Sequence, residues 1–397
     1  MDTSSRLPDR LPGDDPQMSV VDPVWPVITR EAAGAVLGAL ASPVRATRVL
    51  TVSSRPMAAA SLVDTDAGPL FLKRYGHASV RPAHLEATHR FVAHLADHGV
   101  PTPRFLPFSS GRTAMTCEDG IWEVCGAARG EDRYRLTHSW QPPRSTADAH
   151  ALGRAGAEMA LASASFDQPR QADAIYQSRL DLLADADPRG RVHEWLGRHR
   201  AVTEVFELLG ADVDSVMAPH FEAAARLNGH LADMPTQWTH GDLHVSNAFW
   251  DEDGVCDLVD FGLADRNVAV LDLAVMVERN AFEWLEIMNG RTDAVRRDIA
   301  EALVRGWHEV RPLDPAERAA LPAIMPVVQS EFALNVIEYQ WGVLGNEASA
   351  RWALDVFLGA HTTWFTCPQG RQFTAWLGTL MCDLPEGPAS PERRDHR

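Results

Sequence analysis

Trp238-Thr239-His240-Gly241-Asp242-Leu243-His244-Val245-Ser246-Asn247, followed shortly by Val255-Cys256-Asp257-Leu258-Val259-Asp260-Phe261-Gly262, is the stretch on which the reading of this chain turns. Asp242 and Asn247 are separated by four residues, and Asp260 ends a strand-like run. The apolar runs NAFW and VCDLVDFG flank Asp251-Glu252-Asp253-Gly254, a turn signal, so one short hairpin region carries three oxygen-bearing side chains. Phosphoryl transfer needs little covalent help. It needs an alcohol aimed in line at the γ-phosphorus and neutralisation of the phosphate charge. A loop carboxylate (Asp242) can take the hydroxyl proton, while an amide oxygen (Asn247) and a second carboxylate (Asp260) are hard ligands suited to Mg²⁺. Turn and cap duty explains Asp251 to Gly254 but not the other three residues at that spacing.

Upstream, residues 45–125 favour strands: RVLTVS, AAASLVDT and PLFLKRY, then TAMTCE and IWEVCG across a turn at Asp119-Gly120. Between them lies a helix with Leu85, Val92 and Leu95 on one stripe, stopping at Gly99 before Pro101. The remainder carries helical periodicity over 147–165, 172–187, 191–209, 217–233, 270–288, 293–309, 316–345 and 349–366. The expected fold is α+β and two-lobed, with a small β-rich N-lobe (23–125) and a larger helical C-lobe (126–384). Segments 1–22 and 385–397, rich in Pro, Asp and Ser or Arg, are expected to be disordered tails.

The 397 residues include 45% hydrophobic residues, enough for a sizeable core, and carry a formal charge of −17. So acidic a surface argues against non-specific nucleic-acid or anionic-membrane partners. Any phosphate ligand has to be held locally by a lysine, a metal ion or backbone N–H groups. The five cysteines are scattered and lack C-x-x-C spacing, as expected of reduced thiols in a cytoplasmic protein. The N-terminus lacks the apolar core of a signal peptide, and no uninterrupted apolar run approaches membrane-span length.

His-Gly-Asp-Leu-His-x-x-Asn (240–247) with the later Asp-Phe-Gly (260–262) resembles the aminoglycoside phosphotransferase and choline kinase superfamily, which has a protein-kinase-like fold. The resemblance covers residues 45–290. It implies a small-molecule O-kinase using ATP (GTP is not distinguished) and Mg²⁺. The acceptor class stays open among aminoglycoside-like, amino alcohol, sugar and natural-product alcohols. It further implies that His240 and Asp272 support the catalytic loop, and that Lys73, ending PLFLKRY, holds the nucleotide phosphates. The strand 121–125 is expected to form the interlobe hinge, with the adenine edge meeting main-chain groups near Glu123 and Cys125. His240 and His244 lack a third ligand in sequence, which disfavours zinc. His244 reads as a loop histidine or as a group touching phosphate.

Two departures from the family pattern stand out. The helix acid that normally orients the lysine would fall at Thr88, and Glu86, about 200° around the helix, is expected to pair with Arg90 instead. The loop Ser53-Ser54-Arg55-Pro56-Met57 is not glycine-rich. Two rival readings follow. A non-catalytic ligand-binding pseudokinase is motivated by Thr88, and a Ser/Thr protein kinase is disfavoured by Gly241 and the absence of an Ala-Pro-Glu segment after Asp260. On the acceptor side, Glu331, Asn335 and Glu338 form a polar stripe on an otherwise apolar helix (324–345). That stripe reads either as a wall of the acceptor pocket or as an ordinary solvated face.

Overall fold

The computed structural model describes residues 25–386, apart from 56, 136, 138–139, 172–176, 232–233 and 292–293, and only the backbone of 52–55 and 228. The expected N-terminal tail, all but two residues of the C-terminal one and the Arg55 side chain lie outside the described residues.

A helix, α1 (Arg30–Gly38), precedes strands β1 (Ala46–Arg55), β2 (Ala58–Thr65) and β3 (Gly68–Tyr75). Helix α2 (Pro82–Asp97) leads to β4 (Ala114–Cys117) and β5 (Gly120–Gly126). The strands form one antiparallel sheet in the order β1-β2-β3-β5-β4. Side chains alternate across a strand. Leu72, Trp122 and Val124 therefore share a face, packed on Val36 and Leu37 of α1. Burying each such side chain contributes about 1.5–3 kcal/mol before chain entropy is charged. Lys73 and Glu123 fall on the opposite face, where Tyr75 and Ile121 pack with Leu85 of α2. Helix α1 is absent from the sequence-based expectation because only Ala33, Val36 and Leu37 of its nine residues are buried.

The larger lobe begins with α3 (Thr146–Ser163), α4 (Pro188–Arg198), α5 (Arg200–Leu209) and α6 (Val213–Leu231). Four short strands follow: β6 (Thr236–Thr239), β7 (Ala248–Asp251), β8 (Gly254–Leu258) and β9 (Asp265–Val268). β7 pairs with β8 as the expected hairpin, and β6 pairs with β9, a ladder not read in the sequence. The chain then forms α7 (Val270–Ala281), α8 (Trp284–Met288), α9 (Arg297–Val310) and α10 (Pro315–Ile324). It closes with α11 (Ser330–Glu338), α12 (Glu347–Trp352), α13 (His361–Thr366) and α14 (Pro368–Asp383). Helices α3 and α9 meet backbone to backbone, because a Cβ on Gly153 would strike the Leu303 carbonyl and one on Gly306 the His150 carbonyl.

The whole is an α+β fold of two lobes. Several expected helices are shorter. Residues 177–187 are not helical: Glu331 takes the Leu182 N–H, Asp187 caps α4 and Pro188 starts it. The expected 316–345 helix is broken at Met325-Pro326-Val327 and closes in a π-helical turn, Tyr339–Val343. Pro315–Val343 has the length and mean hydropathy of a membrane span, yet 78% of its apolar window is buried inside the fold.

Candidate active site

The loop between β6 and β7 is fixed from three sides. Gly241 sits at φ +79°, and a Cβ there would collide with the Leu263 carbonyl, so the position demands glycine. Asp272, fully buried at the start of α7, accepts the His240 N–H (2.9 Å) and the Gly241 N–H (2.8 Å) on its two oxygens. Burial pushes its carboxyl up to about 6, against the pull of those two N–H groups. His240 donates from Nε2 to the Val259 carbonyl (3.0 Å) and accepts the Asp242 N–H on Nδ1 (3.2 Å). That tautomer is the neutral ring, and burial lowers the pKa of His240 accordingly. Asn280 Oδ1 accepts the Val245 N–H (3.0 Å), completing the frame.

Within this frame Asn247 donates from Nδ2 to the Asp242 carbonyl (2.8 Å), which leaves its amide oxygen for another partner. The Asp242 carboxylate is 24% exposed. Burial raises its pKa, opposed chiefly by Arg279. Arg279 Nε lies 3.2 Å from Asp242 Oδ1, but in poor alignment, so Oδ1 accepts no hydrogen bond from the described residues. His244 Nε2 lies 3.9 Å from Oδ2. Asp260 follows β8 at φ +62°, a left-handed conformation that turns its carboxylate out of the strand. Lys73 Nζ donates to Asp260 Oδ1 at 2.7 Å, joining the lobes, and this contact lowers the Asp260 pKa. The Lys73–Asp260 ion pair, the Asn247–Asp242 hydrogen bond and the charge interaction between Asp242 and Asp260 thus bring the four residues into one cluster.

The other expected residues are placed differently. Thr88 accepts from Gln171 Nε2 (3.3 Å), and α2 offers Lys73 no acid. Glu86 pairs with Arg112 (2.6 Å), not Arg90, which reaches Gln168. Glu123 and Cys125 are no open hinge edge: Glu123 lies between Lys73 of β3 and Ala114 of β4, Cys125 between Phe71 and Phe105. The sheet takes both edges of β5 there, and beyond it the Ala127 N–H still donates to the Pro69 carbonyl of β3 (3.4 Å). The Cys125 thiol is pushed up to about 12 by burial. Glu123 instead contributes a buried carboxylate, which accepts from Tyr75 Oη (3.1 Å) and lies 2.9 Å from His89 Nε2. Glu331 is spent on the Leu182 N–H (2.6 Å), Asn335 bonds the Glu331 carbonyl (2.6 Å), and Glu338 faces His199 (2.7 Å). The polar stripe thus ties helices and loops together.

Sequence reasoning missed Trp140, Glu278 and Arg279. The Trp140 indole N–H donates to Glu278 Oε1 (3.0 Å), and Gln329 Nε2 donates to Oε2 (2.6 Å). The Arg279 guanidinium lies between the rings of Trp140 (5.0 Å) and Phe332 (5.1 Å). Trp140 itself has φ +67°, held by its N–H bond to the Arg279 carbonyl (3.0 Å). An adjacent buried Glu-Arg pair within α7 was the available signal, since unpaired charges are rarely buried.

A five-stranded lobe, a loop Asp with a downstream Asn, and a left-handed Asp paired with a strand lysine define the kinase-like class of folds. Within that class, the chain belongs to the phosphotransferase enzyme family (APH), whose profile matches residues 58–313. A solved aminoglycoside phosphotransferase from Alicyclobacillus acidocaldarius superposes with a TM-score of 0.52 at 18% identity, covering 90% of this chain and 98% of the other. Among curated proteins, the homoserine kinase of Hyphomonas neptunium is 29% identical over 236 residues, 58% of this chain. That of Methylobacterium radiotolerans is 29% identical over 252 residues, 62% of this chain. The matches span 63% and 66% of those relatives' own length.

Proposed function

We propose that this chain transfers the γ-phosphate of Mg²⁺·ATP to a hydroxyl of a small-molecule alcohol. The observation that supports the reading is the clustering of Asp242, Asn247, Asp260 and Lys73 through their mutual contacts. Asp242, whose carboxylate is 24% exposed, accepts the hydroxyl proton and orients the acceptor. Lys73 supplies positive charge to the phosphates. The Asn247 amide oxygen and the Asp260 carboxylate suit Mg²⁺, a hard cation that takes one or two protein ligands and completes its shell with phosphate and water. When bound, the ion neutralises phosphate charge.

The place of the missing helix acid falls to Glu123. It stands directly opposite Lys73 across the β3–β5 ladder, where paired Cβ atoms lie about 5 Å apart; burial lowers the Lys73 pKa, Asp260 is the largest influence raising it, and the Glu123 charge adds to that rise. His89 and Tyr75 hold it on the far side. Once Asp260 engages a metal, Glu123 remains as the carboxylate orienting Lys73. The five cysteines are free, which suits a reducing cytoplasm.

The test is twofold: thermal stabilisation by ATP that requires Mg²⁺, then ADP release across a panel of alcohols. Stabilisation without turnover of any acceptor would leave a nucleotide-binding protein in place of an enzyme.

A further inference from the structure

Helix α2 belongs by its packing to the larger lobe. Phe91, Val92 and Leu95 are buried in that lobe's core, where Phe91 meets the rings of Trp238 and Phe261. Polar ties run the same way. Gln171 donates to Thr88, Arg90 donates to Gln168 (2.9 Å), and the His94 ring meets the Ala162 carbonyl (3.0 Å). The core between the sheet and α1 contains no residue of α2 among those described. The sheet therefore sits on a helix that the other lobe holds, and His89 stands at that junction. Resting on the kinase reading above, we propose that His89 is a positioning residue for Lys73, acting through Glu123. A helix histidine and a strand acid together replace the absent helix acid.

Both ring nitrogens of His89 are engaged, and its side chain is only 3% exposed. Nε2 lies 2.9 Å from Glu123 Oε2, and Nδ1 lies 2.7 Å from Thr113 Oγ1. With the Thr113 hydroxyl donating to Nδ1, the neutral ring carries its proton on Nε2 and donates it to the carboxylate. The ring is stacked on Phe105, with centroids 3.6 Å apart and planes at 18°, which fixes the direction of that donor. The other Glu123 oxygen accepts from Tyr75 Oη (3.1 Å). Held at both oxygens, the carboxylate cannot turn away from Lys73, its partner in the β3–β5 register.

A buried chain of four polar side chains, Thr113, His89, Glu123 and Tyr75, is costly to desolvate, and apolar residues would fill the same space. Here it ends beside Lys73, whose Nζ also donates to Asp260 of the larger lobe (2.7 Å). Lys73 is thus set from two directions by groups that the larger lobe fixes. A shift of the sheet along α2 breaks the 2.9 Å contact and releases Glu123, so Lys73 is oriented only while the sheet is seated on the helix. Orientation in advance of binding lowers the ordering cost that the nucleotide otherwise meets.

The test is the Kd of Mg²⁺·ATP, measured by titration calorimetry, which needs no acceptor. His89→Phe keeps a ring against Phe105 and removes both hydrogen bonds; Kd should rise about tenfold. His89→Gln, which retains a side-chain donor, should stay within about threefold of wild type. In a Glu123→Gln background the His89→Phe step should add less than about twofold, so that the double variant is about tenfold weaker and not a hundredfold. A merely structural histidine would lower Tm without this coupling. An unchanged Kd in His89→Phe overturns the proposal, as does equal weakening by His89→Gln. So does a full tenfold step in the Glu123→Gln background. Should His89→Phe not fold, Thr113→Val takes its place: the expected rise is about threefold, absent in the Glu123→Gln background, and no rise overturns the proposal. If the wild type does not bind Mg²⁺·ATP, the kinase reading falls too; if it binds and the variants behave as wild type, only the role of His89 falls.

Discussion

Replacing Asp272 by Asn separates two effects that the wild-type carboxylate combines. In the wild type each oxygen accepts one backbone N–H of the catalytic loop. An Asn offers one oxygen and turns an NH₂ group toward the other N–H, leaving a buried donor unmatched at a cost of about 1–3 kcal/mol. Opposing this, the buried carboxyl titrates at about 6 in place of 3.8, a difference that costs the ionised native state about 3 kcal/mol at 1.36 kcal/mol per unit. The sign follows from proton linkage. A carboxyl whose native pKa is raised holds its proton more tightly folded than unfolded. Its contribution is therefore fully present below about pH 4 and is lost as pH rises through about 6. The Asn variant has no such loss. Urea unfolding followed by tryptophan fluorescence should find Asp272→Asn less stable than wild type by about 1–3 kcal/mol near pH 4.5. The gap should close, and approach or pass zero, by pH 7.5. Turnover should nonetheless fall at pH 7.5 by about 100-fold, because the loop carrying Asp242 is no longer pinned at His240 and Gly241. A stability difference that stays constant from pH 4.5 to 7.5 would refute this reasoning.

Arg279→Gln removes the charge that opposes burial at Asp242, so the Asp242 pKa rises further. Since Asp242 must be ionised to accept the proton, the acid limb of kcat/KM should move to higher pH in this variant; an unmoved or lowered limb contradicts the assignment. Glu123→Gln should raise KM for ATP by roughly tenfold with a smaller effect on kcat, reflecting loss of about 1.4 kcal/mol of charge-assisted orientation of Lys73. Adding an acid at the family position, Thr88→Glu, should restore part of that affinity in the Glu123→Gln background, and failure of both effects would remove Glu123 from the nucleotide site.

The candidate site residues were legible because their chemistry is concentrated in one short stretch. Asp242, Asn247 and Asp260 lie within 19 residues of one another, the β7–β8 turn is marked by Asp253-Gly254, and a glycine at 241 fits the loop's left-handed backbone. The sheet of the small lobe was equally readable, because its strands alternate and its turns carry Asp-Gly or Asp-Ala-Gly. What stayed hidden depends on long-range register. Glu123 is one more polar residue in IWEVCG until the ladder sets it opposite Lys73. The contact between Trp140 and Glu278 spans 138 residues. The four-residue strands β6 and β9 are too short for alternation to declare them, and the ladder is anchored by Trp238 of β6, which is fully buried. The Glu331 stripe misled for a related reason. Periodicity shows that a carboxylate lies on a helix face, but only the packed loop 181–183 shows that a backbone N–H group meets it there.

The most direct test of phosphoryl transfer is ³¹P NMR of the protein with Mg²⁺·ATP and an alcohol found active in the ADP-release panel, run beside the Asp242→Asn variant. The account predicts a phosphomonoester resonance growing in step with ADP for the wild type, and none for the variant even though it still binds Mg²⁺·ATP. Ester formation by Asp242→Asn at the wild-type rate, or release of inorganic phosphate alone whatever alcohol is added, would contradict it.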